Sequence, residues 1–330
     1  MGAAYREAMD PFDDLLRGVR ANGALFGGSV LSPPWALRFT GDAYLTLCVP
    51  LRGEGWIVPG GGGEPRRIRV GDAAIVRGPE PFVFADDPAS AARPGLTRDI
   101  RCGEPGARQG GEAAPDGRTV LMAGAYRVRG EVPRRLLRVL PPVVVVADDD
   151  DCSGMRAYLE AQLSAVRPGR QIVVDRLLDW LLVCTLRDWF DRPEAARPAW
   201  YRALGDDAVG PALRAMHDEP ARPWTLASLA AEAGVSRSTL AKRFNDLLAE
   251  PPLAYLTEWR MTLAADLLAE PGATIAGVAR RVGYADAFGF SAAFKRVRGT
   301  SPSAHRAAVT AALAEVASGS LVGVAAEVEQ

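Results

Sequence analysis

The side chains with the most chemistry to offer lie in the last third of the chain. Between Thr274 and Arg306, six cations (Arg280, Arg281, Lys295, Arg296, Arg298 and Arg306) stand against one anion, Asp286. The 330-residue chain carries a net charge of only -1, so this excess is local. Such a cluster suits a polyanion, and nucleic-acid phosphate is the expected one. Counting excludes other chemistry. Both histidines, His217 and His305, fall in the C-terminal half, so the N-terminal half holds neither a His-rich metal site nor the base of a catalytic triad. No Gly-x-Ser-x-Gly elbow is present. Gly60–Gly63 is followed by neither Lys-Ser/Thr nor a helical pattern, and reads as a hairpin turn rather than a phosphate loop. Asp148–Asp151 lacks spaced oxygen ligands and reads as a solvated loop. No metal, cofactor or enzymatic activity is expected.

Four cysteines remain as reactive groups. Cys48, Cys102, Cys152 and Cys184 are widely spaced without a Cys-x-x-Cys pair, which fits a reducing, cytoplasmic setting. Cys102 lies between Arg101 and Gly103, an electropositive setting for a thiolate, whereas Cys48 sits in an apolar run. A thiol switch using Cys102 and Cys48 therefore stands as an alternative to sensing of a small effector. No signal peptide is visible, and no run nears the ~18 apolar residues of a membrane span.

Two kinds of element must position these groups. From about Leu25 to Val146, short apolar runs punctuated by Gly and Pro read as strands: Tyr44–Pro50, Gly55–Val58, Ile68–Val70, Ala73–Val76, Phe82–Phe84 and Val143–Val146. Met155–Val166 and Ile172–Phe190 then lack Gly and Pro and space their apolar residues helically. Ile172–Phe190 is apolar over more than one face, which implies burial against the β region or a dimer seam that includes Leu178 and Leu182. Arg192–Pro198 reads as a linker, and beyond it the pattern is helical to about residue 306.

Two segments of that region repeat one construction. Leu229-Ala230 precedes Gly234-Val235-Ser236, Leu240 and Phe244; Val278-Ala279 precedes Gly283-Tyr284, Asp286, Phe290 and Phe294. Each glycine can take the positive φ that ends a first helix. Ser236 and Asp286 are N-cap residues for a second. The pairs Leu240/Phe244 and Phe290/Phe294 bury one face of it. The opposite faces then carry Ser238, Ala241, Lys242 and Asn245 in the first unit, with Arg237 beside them, and Phe288, Ser291, Ala292 and Lys295 in the second. Leu253–Glu270 reads as the helix joining the two units, with Leu256, Trp259, Leu263, Leu267 and Leu268 facing inward.

From Trp224 to Arg306 the chain resembles the DNA-binding domain of AraC/XylS-type transcription regulators. The shared pieces are Leu229-Ala230-x3-Gly234-Val235-Ser236, Tyr255-Leu256-x3-Arg260, Gly283-Tyr284, Phe290, Phe294-Lys295 and Gly299-Thr300-Ser301-Pro302-Ser303-Ala304-His305-Arg306. His305 replaces the tyrosine usual in that last motif, and Ala292 stands where many members have arginine. Leu51-Arg52-Gly53-Glu54-Gly55 and Gly71-Asp72-x5-Gly78-Pro79 are similar to the cupin-like sensory domains of one branch of the family.

The resemblance implies an α+β multidomain protein. A cupin-like β-barrel sensor would span 1–147, a helical pair for dimerisation 148–192, a linker 193–204, an all-α DNA-binding domain with two helix-turn-helix units 205–306, and a tail 307–330. Double-stranded DNA is the expected ligand, contacted through the two faces above and through Arg296, Arg298 and Arg306. A homodimer, a small-molecule effector and RNA polymerase complete the expected partners, with no membrane.

Overall fold

The computed structural model describes residues 11–17, 19–41, 43–101, 119–128, 130–147, 158–159, 161–162, 168–193, 195 and 197–311. It divides into two units: Leu15–Arg129 with Pro133–Arg197, and Pro198–Gln330 with Met1–Asp14 and Gly130–Val132.

Among the described residues the first unit has ten strands: β1 (Val19–Leu31), β2 (Ala36–Thr40), β3 (Leu45–Arg52), β4 (Glu54–Pro59), β5 (Arg66–Arg69), β6 (Asp72–Arg77), β7 (Phe82–Ala85), β8 (Thr97–Arg101), β9 (Thr119–Val128) and β10 (Val143–Ala147). They form two five-stranded sheets, ordered β1-β9-β3-β6-β10 and β5-β4-β7-β2-β8. Pairing is antiparallel except between β2 and β8. The β4–β5 hairpin turns through Gly60–Gly62, as the glycine run predicts.

Alternation along each strand sends one set of side chains into the space between the sheets. Leu37, Phe39, Cys48, Ile57, Ile68, Phe82, Phe84 and Leu121 meet there in one core cluster. Phe39 stacks on Phe82 with centroids 4.8 Å apart, and Trp35 packs on Phe84 at 5.0 Å. Four aromatic rings, Trp35, Phe39, Phe82 and Phe84, thus stand among the aliphatic side chains of this cluster. A cleft of about 270 Å³, including space open to solvent, lies beside Phe39, Thr40, Gly78 and Glu80.

Three helices of this part of the chain are short: α1 (Pro11–Arg17), α2 (Pro88–Ala91) and α3 (Glu131–Val139). The long one, α4 (Arg170–Asp191), packs on β1. It buries Val174, Leu178, Leu181, Leu182, Leu186 and Phe190. The Tyr126 hydroxyl donates to the Leu178 carbonyl at 2.6 Å, and a Cβ at Gly124 would come within 3.0 Å of the Leu178 side chain. Burial, reinforced by Asp179 and Asp175, holds the Tyr126 phenol well above its ordinary pKa. Leu178 and Leu182 therefore serve the chain's own core, the first of the two expected arrangements, and not the dimer seam that is the second. Apolar periodicity reports burial without naming the partner. The helix exposes Ile172, Val173 and Trp180 instead. Of Met155–Val166, only Tyr158, Leu159, Ala161 and Gln162 are among the described residues.

The second unit contains α5 (Ala199–Leu204), α6 (Val209–Asp218), α7 (Leu226–Glu232), α8 (Arg237–Leu248), α9 (Pro252–Leu268), α10 (Ile275–Arg281), α11 (Ala287–Arg298) and α12 (302–311). At 17 residues, α9 is about 25 Å long. It buries Tyr255, Leu256, Trp259, Met261, Ala264, Ala265 and Leu268, on more than the single face its leucines suggested. His217 is sealed against it: Nε2 lies 2.9 Å from the Tyr255 hydroxyl, Nδ1 2.8 Å from Asp14, and the ring 4.1 Å from that of Trp259. No helix among the described residues is long and apolar enough to cross a membrane.

Candidate nucleic-acid interface

Helices α7/α8 and α10/α11 form two pairs built by the same rules. Thr225 caps α7 and Thr274 caps α10, each accepting from the amide three residues on. Each first helix ends in a glycine at positive φ, Gly234 at 67° and Gly283 at 83°. The next amide bonds back five residues in both, Val235 to Ala230 at 3.0 Å and Tyr284 to Ala279 at 2.9 Å. The second helices start on side-chain caps. Ser236 accepts from Thr239, and Asp286 accepts from Phe288 and Gly289, both at 2.8 Å. Leu240, Phe244, Phe290 and Phe294 are 0% exposed, so the buried stripe of each second helix is the one its spacing required.

That burial turns the other face outward. On α8, Arg237, Ser238, Lys242 and Asn245 are exposed and Ala241 half-buried. Lys242 Nζ lies 2.9 Å from Asp246 Oδ2 one turn on, and Ser238 Oγ 2.9 Å from the capping Ser236. On α11, Ala292, Lys295 and Arg296 are exposed and Phe288 reaches 87% exposure, the largest among the exposed large hydrophobic residues. Ser291 is half-buried and donates to the Ala287 carbonyl at 2.7 Å, which commits its proton within the helix.

The cations divide in the same plain way. Arg280, Lys295 and Arg296 are exposed. Arg281 pairs with Glu270 at 2.6 Å, Arg298 with Glu131 at 2.9 Å, and Arg306 donates to the Ala273 carbonyl at 3.0 Å. His305, in the usual tyrosine position, meets Phe294 edge-on at 5.6 Å. Sequence reasoning missed Asp246, although its i,i+4 spacing from Lys242 was a usable signal. It had none for Glu131, 167 positions from Arg298, or for Glu270, which is 11 positions from Arg281 and beyond the three- or four-residue spacing of a shared helix face.

Comparison with known proteins agrees with this geometry. A cupin family model matches residues 10–191, and a helix-turn-helix domain model matches 229–308, a range that begins inside α7 and extends past α11. A putative AraC-like transcription regulator from Streptomyces lividans is 35% identical over 90% of this chain and 98% of its own length. The chain belongs to the AraC family of transcription regulators. A second AraC-like regulator, from Streptomyces antibioticus, is 33% identical over the same shares. The solved DNA-binding domain of AdpA, a global transcriptional factor in complex with a target DNA, is 30% identical over 32% of this chain and 96% of that one, with a TM-score of 0.31. As an AraC-like regulator the protein binds double-stranded DNA, and it carries a cupin domain ahead of the helix-turn-helix domain. The thiol alternative loses its footing at Cys48, which is 0% exposed between the sheets and so lacks the access a redox thiol requires. Cys102 lies outside the described residues.

Proposed function

We propose that the α7/α8 and α10/α11 pairs are two helix-turn-helix units that read two successive major-groove segments on one face of DNA. The observation that carries this reading is the matched exposure of α8 and α11: a side-chain cap at the same position, the same buried stripe and the same outward register. The 25 Å rod of α9 supports it, since recognition helices held near one DNA turn, ~34 Å, apart can enter adjacent grooves. Lys242 and Asn245 then supply hydrogen bonds to base edges, and Lys295, Arg296 and Arg280 meet phosphate. Phe288 offers an apolar ring to a thymine methyl. The test uses the full-length chain on duplexes selected from a random pool. Lys242→Ala weakens binding by ~1–3 kcal/mol only where one half-site is intact. Equal loss on every sequence would reduce Lys242 to backbone positioning.

We also propose that the protein works as a dimer through the outer face of α4. Val173, Leu177, Trp180 and Cys184 follow one another at steps of four, three and four, the spacing of a coiled-coil seam, on the side away from its buried stripe. Trp180→Glu should shift the full-length chain toward monomer in sedimentation, and a wild-type chain that is already monomeric at micromolar concentration contradicts this.

A further inference from the structure

The segment Glu219–Trp224 leads into the cap of α7 and so into the first helix pair, yet it rests on the second. At Gly283, the turn between α10 and α11, an added Cβ would meet the Ala221 carbonyl oxygen at 2.5 Å and the Ala221 Cα at 2.9 Å. The segment is also clasped from α9. Arg260 donates from Nε to the Pro220 carbonyl and from Nη2 to the Arg222 carbonyl, both at 2.7 Å. Its own conformation is fixed: Arg222 pairs with Glu219 at 2.9 Å and covers the Trp224 ring at 4.1 Å, while Trp224 Nε1 donates to the Glu219 carbonyl at 2.9 Å. Trp224 is buried, so the segment is anchored at its far end too.

Arg260 is spent on these two carbonyls. It is partly buried, with the Tyr284 phenol of the second turn close enough to interact with it electrostatically. A guanidinium is suited to this task, because its planar fork can hold two acceptors at once where an ammonium offers a single point of charge. The three pieces held together are the lead-in to the first pair, the connecting helix and the turn of the second pair.

We infer that Glu219–Trp224 is a strap which, clasped by Arg260 and seated on Gly283, sets the separation and phase of the two recognition helices. Arg260 is then a positioning residue for two-part DNA reading. The inference rests on the proposal that both helix pairs read DNA. Without the clasp, α9 alone joins the pairs. Each pair keeps its own caps and buried stripe, so each still reads its half-site, but their relative placement relaxes.

The experiment measures binding of full-length wild type and Arg260→Ala to a duplex selected from a random pool, to the same duplex with two base pairs inserted between its half-sites, and to duplexes with one half-site scrambled. Two base pairs rotate one half-site by about 70° relative to the other. Wild type should lose about tenfold or more in affinity on insertion, as one recognition helix loses its base contacts. Arg260→Ala should lose about threefold or less on insertion, while matching wild type on each single half-site. Wild type indifferent to the insertion would overturn the two-part reading itself. A variant as sensitive as wild type would overturn the strap alone. A variant weakened equally on single half-sites, with a shallower salt dependence, would make Arg260 a phosphate contact instead. If thermal melting shows Arg260→Ala unfolded, Arg260→Lys carries the same comparison: it retains the cation, loses the fork, and must show reduced sensitivity for the strap to stand.

Discussion

The two helix pairs share a scaffold and differ in what they display. Ser236 and Asp286 start α8 and α11, Gly234 and Gly283 end the helices before them, and Leu240/Phe244 matches Phe290/Phe294 inside. Outside, α8 offers Ser238, Lys242 and Asn245, all capable of hydrogen bonding to a base edge. The matching face of α11 offers a phenyl ring, a methyl group, a serine whose proton is committed to its own helix, and Lys295. Burial imposes the same demand on both inner stripes, while the outer face is free to differ because folding does not depend on it. On the proposed reading, the first pair serves direct readout and the second apolar contact, shape and charge.

The contrast between inner and outer faces should produce the largest effect. Phe290→Ala, which empties a fully buried position, should cost ~3–5 kcal/mol of folding stability in urea unfolding. Phe288→Ala, two residues away and almost fully exposed, should change stability by less than ~0.5 kcal/mol. Comparable losses from both would place the Phe288 ring in the core and end its role as a reader. Next in size is the first pair's polar readout: Asn245→Ala should cost ~1–3 kcal/mol on a duplex with its half-site intact and little once that half-site is scrambled.

The second pair should depend more on salt. Replacing Lys295 and Arg296 together by Ala should lower the slope of log affinity against log salt by about 1.8, at roughly 0.9 per phosphate contact. An unchanged slope would show that neither cation meets phosphate. The smallest effect belongs to Asp246, whose carboxylate holds Lys242 on the helix surface. Both groups are largely exposed, so freeing the lysine with Asp246→Asn should strengthen binding only slightly, by ~0.2–1 kcal/mol. Weaker binding would mean the pair orients Lys242 rather than restraining it.

The turns and buried stripes of both pairs were legible in the sequence, because Gly, cap residue and i,i+4 aromatic sit close together in the chain. Strands β3 to β7 and β10 were legible as apolar runs between turns. Strands β1 and β9 were not, since Gly-Ala-Leu-Phe-Gly-Gly and Met-Ala-Gly-Ala-Tyr carry small residues of low strand propensity. In β9 the small residue has a purpose: Gly124 lets Leu178 approach, a contact made across 54 positions. The same distance hid the role of Arg260, whose partners are backbone carbonyls 38 and 40 residues away. Side-chain identity carries no trace of an acceptor that every residue possesses.

The most direct test of two-part reading is a base-resolved footprint of the full-length chain on a selected duplex, compared with Lys242→Ala/Asn245→Ala and with Phe288→Ala/Lys295→Ala. Two protected major-groove patches about 10 base pairs apart on one face are expected. The first double variant should erase one patch and the second double variant the other. A single patch, or both patches fading together in either variant, would contradict two-part reading.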